Sequence, residues 1–153
     1  MTELANTEKA FTPLPKYPSM SRDLAFVVDE AMTVGEIEKK VGLNLGNQDV
    51  YLNVVSGLKI NEPAIGLGVV AVVASSFKNI AISKDTVIMG EVGLTGEVRR
   101  INMIEKRLKE AEKLGYKTCI IPENNKKYLE EKYNLEIVGV KSISDALKVL
   151  GIK

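Results

Sequence analysis

Apolar residues fall in short runs separated by polar turns, and the period of each run assigns its element. Residues 24–28 form one continuous apolar stretch of strand length. Thr33-Val34-Gly35-Glu36 has the spacing of a capping box, with a hydroxyl and a carboxylate to satisfy free amides. It opens a short helix that ends near Gly42. Residues 50–55 are rich in β-branched side chains and read as a second strand. The first third therefore reads β-α-β, behind a polar start and a Pro13, Pro15, Pro18 segment that should be extended.

Residues 64–76 are nearly all small or apolar, which predicts a central helix capped by Asn61 with Pro63 in its first turn. Residues 86–92 read as a strand, Gly93-Leu94-Thr95-Gly96 as a tight turn, and 97–101 as the return of a hairpin. Asn102 with Glu105 opens a helix whose stripe is Ile104, Leu108, Ala111 and Leu114, with Gly115 at its C-cap. A strand over 117–121 is stopped by Pro122, and a charged helix runs from 123 to about 132. A strand over 136–140 and a helix over 144–150 follow. Helices and strands alternate without internal repeats, which predicts one α/β or α+β domain with a mixed sheet.

Composition narrows the chemistry. A chain of 153 residues fits one domain, and 45% hydrophobic with 27% charged residues suits a globular chain. With 21 Lys and Arg against 20 Asp and Glu, bulk charge cannot hold nucleic acid, although a local basic patch could. There is no histidine, which excludes Ser-His-Asp and Cys-His triads, histidine zinc sites and histidine general bases. Cys119 is the single cysteine, so no intrachain disulfide forms and a reducing cytoplasm is the expected location. No signal-peptide pattern and no membrane-length apolar run are visible, and no cofactor and no membrane partner are expected.

Four patterns deserve a chemical test. Gly66-x-Gly68-x-x-Ala71 matches the glycine core of a dinucleotide fingerprint, but its glycines lie inside a helix, where close packing explains them. No P-loop pattern occurs. Ser56/Lys59 and Ser75/Lys78 have Ser-x-x-Lys spacing, but neither lysine is placed where it would be desolvated beside its serine. The run from Gly90 to Glu97 resembles a phosphate cradle until its two glutamates are counted, which favours the hairpin. Arg99, Arg100, Lys106, Arg107, Lys109 and Lys113 form the densest basic stretch. Glu105, Glu110 and Glu112 interleave, so a salt-bridged face with Glu105–Lys109 and Lys106–Glu110 pairs competes with a nucleic-acid patch.

Two family resemblances meet in the chain. LANTEKAFTPLPKYPSMSRDLAFVVDEAMTVGEIE, beginning at Leu4, resembles the start of the ferredoxin-fold anticodon-binding domain of bacterial phenylalanyl-tRNA synthetase β subunits. That resemblance covers residues 4–41 and only the first strand and helix of that domain. From residue 38 to 150 the chain resembles the C-terminal domain of the bacterial RadA/Sms DNA-repair family. The stretches that carry this are EKKVGLNLGNQDVYLNVVSGLKINEPAIGLGVVAVVASSF, VIMGEVGLTGEVRRINMIEKRLKEAEKLGYKTCIIPENN and EIVGVKSISDALKVL. That domain is similar to the proteolytic domain of Lon protease.

The second resemblance implies a Lon-like mixed sheet with helices, a non-proteolytic role, a hexameric ring, and support of DNA handling by a separate ATPase domain. In Lon the nucleophile lies in Gly-Pro-Ser-Ala-Gly; Glu62-Pro63-Ala64-Ile65-Gly66 stands here, with Ala64 at the serine position. The Lon lysine lies in Gly-Gly-Leu-Lys-Glu-Lys; Asn102-Met103-Ile104-Glu105-Lys106-Arg107 stands here, with Glu105 at the lysine position. Alanine offers no nucleophile and glutamate no amine base, so no enzymatic activity is expected. Family zinc-finger, P-loop and KNRFG motifs are absent. The resemblance assigns Arg99, Arg100, Lys106 and Arg107 to weak DNA contact from a homo-oligomeric ring.

Together the two resemblances imply a chimera joined near residues 38–41. Residues 1–41 then form a synthetase-like β-α segment integrated into the Lon-like domain of 38–153. An engineered join is favoured over a natural fusion, because both parent domains are cut. The alternative function is a tRNA-binding module, which needs the whole ferredoxin-like sheet, so binding of tRNA is not expected.

Overall fold

A computed structural model of the chain describes residues 62–152. The expected elements over 24–28, 33–42 and 50–55, the Asn61 cap and the Ser56/Lys59 pair lie outside those residues.

The described chain begins with a 3-10 turn, Pro63–Ile65, that runs into helix α1, Gly66–Lys78. Glu62 supplies the cap: its carboxylate accepts from the Ala64 amide at 3.2 Å, and proline in the first turn has no amide to leave unpaired. The helix ends at Asn79, which adopts a left-handed conformation (φ 53°) and donates its amide to the Ser76 carbonyl. Strand β1 is Thr86–Ile88, and β2 (Glu91–Val92) and β3 (Val98–Arg99) form the expected hairpin in antiparallel register.

The single strand expected over 86–92 is broken at Met89-Gly90. There the backbone turns to the start of α1: Gly90 donates to the Ala64 carbonyl at 2.8 Å and accepts from Leu67 at 2.9 Å. A Cβ on Gly90 would lie 2.9 Å from Val98 Cγ1 and 3.1 Å from Leu67 Cδ2, so only glycine permits this approach. The helical glycines act similarly. A Cβ on Gly68 would lie 3.3 Å from the Ile88 carbonyl, which confirms packing rather than a nucleotide turn.

Helix α2 is Ile104–Lys113, β4 is Thr118–Pro122, α3 is Glu123–Lys126, β5 is Glu136–Val140 and α4 is Ile143–Val149. β1, β4 and β5 pair in parallel, in the order β1-β4-β5. The hairpin is a separate ribbon, so the described strands divide between a parallel sheet and an antiparallel pair. The α/β class stands.

β4 is the centre of the core, and its side chains alternate between two apolar clusters. Ile120 joins Leu67, Val70, Val73 and Ala74 of α1, and Ile143, Ala146 and Leu147 of α4. Cys119 and Ile121 join Leu108 and Ala111 of α2, with Ala64, Met89 and Ile101. Helices therefore cover both faces of a parallel sheet, which explains why β4 has no polar face. Fully buried Leu67, Leu108, Ile120 and Ile121 each contribute about 1.5–3 kcal/mol, more than any surface ion pair.

Several local expectations are corrected. Met103, in a left-handed conformation (φ 57°), occupies the cap position of α2 without a side-chain cap, and Asn102 does not cap it. Leu114 leaves the apolar stripe and is exposed, although Gly115 closes the helix with φ +83° as expected. The charged helix from 123 to 132 is one short turn, because Asn125 faces inward. Helix α4 starts one residue earlier, where Ser142 caps it by accepting from Asp145 at 3.1 Å. α1 is buried along one side only, and Val72 on the other side is 40% exposed.

Candidate functional site

The two stretches that the resemblance sets against the Lon dyad are brought together. The 3-10 turn carries Ala64, which is buried in the cluster beside α2, with Ile104 packed against the same cluster. Glu105 follows Ile104 in the first turn of α2. Between the two segments runs an ion pair, with Arg107 Nη2 donating to Glu62 Oε2 at 2.8 Å. Arg107 Nε also donates to the Asn102 carbonyl at 3.0 Å. The Arg107 guanidinium, followed by the Ala64 amide, holds the Glu62 carboxyl below the usual carboxylate range. Ala64 presents a methyl group to apolar neighbours. Its carbonyl is held by Gly90, so the turn has a structural task that does not involve a nucleophile.

The other nucleophile candidates are equally committed. Ser75 Oγ donates to the Ile80 carbonyl at 2.5 Å, which anchors the end of α1, while Lys78 is exposed. Cys119 is fully buried on β4, and burial pushes its thiol up, away from the reactive thiolate. Among the described residues, no cluster of three Asp, Glu or Cys side chains could hold a metal ion. Within the same residues, no helix is long and apolar enough to cross a membrane.

The four basic candidates separate into two kinds. Arg99, at the end of β3, is bound by its own ribbon: Nη2 lies 2.6 Å and Nε 2.9 Å from Glu97 Oε1, with Glu91 at 3.8 Å from Nη1. Glu97 also accepts from the Thr95 hydroxyl at 2.6 Å and the Thr95 amide at 3.0 Å. Led by the Thr95 hydroxyl and helped by Arg99, these bonds lower its carboxyl to about 2. Arg107 is bound by Glu62, as described above. Arg99 and Arg107 thus carry neutralised charge.

Arg100 and Lys106 differ. Both are exposed, and neither has a carboxylate partner within 4.0 Å among the described residues. The Arg100 guanidinium lies over the Tyr128 ring, 5.3 Å from its centroid. The expected Glu105–Lys109 and Lys106–Glu110 pairs do not form. Lys109 reaches Glu131 at 2.8 Å instead, and Glu110 meets Lys113 at 3.9 Å.

Sequence reasoning missed Tyr128 and Asn125. Tyr128 is 70% exposed just beyond α3, and Asn125 is buried. The available signal was an aromatic residue inside the charged run Asn124-Asn125-Lys126-Lys127-Tyr128, which a ten-residue helix reading absorbed. Asn125 uses its whole amide: Oδ1 accepts from Ile101 N–H at 2.9 Å, and Nδ2 donates to the Ile101 carbonyl at 3.1 Å. This fixes the segment that carries Arg100.

Comparison with known proteins agrees with this architecture. The DNA repair protein RadA of Halalkalibacterium halodurans is 44% identical over 119 residues, covering 78% of this chain and 26% of the relative. The RadA of Bacillus subtilis is 46% identical over 118 residues, 77% of this chain and 26% of the relative. That of Streptococcus pneumoniae is 40% identical over 118 residues, 77% of this chain and 28% of the relative. The chain thus spans about a quarter of the length of these relatives. Residues 21–152 match the Lon protease (S16) C-terminal proteolytic domain, a match that begins within the stretch 1–41. The parallel sheet clad by helices, the joined dyad segments and this match lead to one conclusion: the chain belongs to the Lon protease C-terminal domain family.

Proposed function

We propose that this chain is a non-catalytic Lon-like scaffold domain of a RadA-type DNA-repair and recombination protein. It self-associates and contacts DNA weakly through Arg100 and Lys106. The observation that carries the reading is the replaced dyad: a buried Ala64 and a carboxylate at Glu105, with Glu62 and Arg107 paired between their segments. The 40–46% identical relatives are DNA repair proteins, which supports the DNA-repair context. Arg99 and Arg107 are each held by a carboxylate of their own chain, which makes Arg100 and Lys106 the more available of the four DNA-contact candidates.

Two measurements test the reading. Purified chain should hydrolyse neither casein nor ATP above a buffer blank; activity that survives further purification refutes the non-catalytic role. Sedimentation with duplex titration tests the scaffold. Two phosphate contacts per subunit predict a salt slope of about −1.8 for each subunit engaged, or roughly a tenfold loss per engaged subunit between 50 and 200 mM salt. Positive charge from several subunits adds, so binding should appear only with an oligomer. A monomer that binds as tightly as an oligomer refutes the coupling.

The proposal extends to the chain's origin. The resemblance over residues 4–41 favours an engineered join, and the family match from residue 21 supports integration of that segment into the Lon-like domain. The outer side of α1, with Val69 and the exposed Val72 on one stripe, offers an apolar face for such a segment. Deleting residues 1–41 should abolish cooperative unfolding; unchanged melting would show that the segment is not integrated.

A further inference from the structure

We propose that Tyr128 and Arg100 form a stacking platform for an unpaired base, so that the DNA contact of this domain is with single strands in preference to duplex. This rests on the DNA-contact reading above and specifies its substrate.

Three observations converge on the pair. The Tyr128 ring is 70% exposed in a chain with few aromatic residues, so its surface is available to a ligand. Arg100 lies over that ring at 5.3 Å and, unlike Arg99, has no carboxylate within 4.0 Å among the described residues. Its charge is therefore free to meet a phosphate while its guanidinium sits on one face of the ring, where a base can stack against either member of the pair.

The third observation is that the platform is held in place. Arg100 and Tyr128 belong to segments far apart in sequence. Asn125 joins them through its two buried bonds to Ile101, the residue after Arg100. The Tyr128 amide in turn donates to the Asn125 carbonyl at 3.2 Å. Both members of the pair are thus tied to one buried residue, the Arg100 segment through the Asn125 side chain and Tyr128 through the Asn125 backbone carbonyl, which reduces the ordering cost of binding. Exposed Lys126 and Lys127 lie on the same short turn and add phosphate attraction.

The geometry selects the strand state. In a duplex the base faces are stacked inside and only their edges reach the grooves. A flat ring can use a base face only where the base is unstacked, and stacking of this kind tolerates any sequence.

The test uses the full chain at low salt, with three labelled probes of equal length followed by fluorescence anisotropy. These are oligo(dT), an abasic strand with the same phosphates, and a duplex. Wild type should bind oligo(dT) more tightly than the other two. Tyr128→Ala should weaken oligo(dT) binding roughly 5- to 100-fold and leave the abasic strand unchanged, while Tyr128→Phe retains the affinity. Because Tyr128 is exposed, Tyr128→Ala should melt as wild type does, which separates loss of binding from loss of fold. Equal binding of oligo(dT) and the abasic strand, or unchanged binding by Tyr128→Ala, overturns the platform while the DNA-contact reading stands. Failure of wild type to bind any of the three probes overturns both.

Discussion

Replacing Asn125 with alanine should be among the most damaging single changes to this domain, although the residue is polar and sits in a charged run. Its side chain is 3% exposed and satisfies both the amide and the carbonyl of Ile101, which is itself buried. Alanine removes both partners at once. Each buried backbone group left unpaired costs about 1–3 kcal/mol, so the pair costs about 2–6 kcal/mol. Against a typical domain stability of about 5–15 kcal/mol, that is a large share. Urea unfolding followed by circular dichroism should show the midpoint falling by about 1–2 M with an unchanged slope. Asn125→Asp retains the acceptor but loses the donor and buries a carboxylate, so it should be no better. Asn124→Ala, at an exposed neighbour, serves as the control and should shift the midpoint little. A loss below about 0.5 kcal/mol for Asn125→Ala would refute the reasoning, because it would mean that the two Ile101 groups do not depend on this side chain.

Glu97 ties stability to acid: its carboxyl is held at about 2 against an ordinary 4.5, so its contribution is complete above 4.5 and disappears as pH falls toward 2. Glu97→Gln should flatten the loss of stability in that window, and an unaltered acid limb in thermal melts would count against the hairpin network. Gly90→Ala would push a methyl group against Val98 and Leu67, both buried, and should cost about 1–3 kcal/mol by denaturant titration; a neutral result would show that the β1–β2 corner relaxes freely. The double variant Ala64→Ser with Glu105→Lys should not hydrolyse casein, because a lysine at the half-exposed position 105 stays protonated and cannot serve as base. Hydrolysis above the single-variant background would show that the rest of the catalytic environment has survived.

What could be read from the chain follows from how local each signal is. β5 was legible to the residue, because 136–140 is a short β-branched run between polar turns. The hairpin was legible from Gly93-Leu94-Thr95-Gly96, because a tight turn is specified by its own residues. The break at Met89-Gly90 was not, since it depends on hydrogen bonds to Ala64 and Leu67, far away in sequence. Helical spacing predicted a Glu105–Lys109 pair, but Lys109 turns to Glu131 on another segment, which no period in the chain encodes. The basic candidates show the same limit. Counting charges ranked Arg99 with Arg100, and only the fold shows that one is neutralised by Glu97 and the other lies over an aromatic ring.

The Glu62–Arg107 pair bears on the proposed loss of the Lon dyad, because it ties together the two segments that would carry it. A Ser-Lys pair needs an exposed hydroxyl and a desolvated, neutral amine at hydrogen-bond distance. Here the turn at Ala64 is held by its neighbours: Glu62 accepts from its amide, Gly90 donates to its carbonyl, and its methyl group lies in the cluster with Met89 and Leu108. Glu62 reaches on to Arg107, so the start of α1 and the first turns of α2 are clamped across the position that chemistry would need open. An exposed ion pair of this kind stabilises by at most about 1 kcal/mol, so its larger effect is geometric, fixing α2 against the 3-10 turn. The same segment, residues 100–107, leads from Arg100 through the Asn125-bound Ile101 into α2. Fixing the start of α2 therefore also fixes the approach to the Arg100–Tyr128 surface. This links the proposed non-catalytic role to the proposed binding role: the Glu62–Arg107 pair and Asn125 brace the element from which the DNA contact would project.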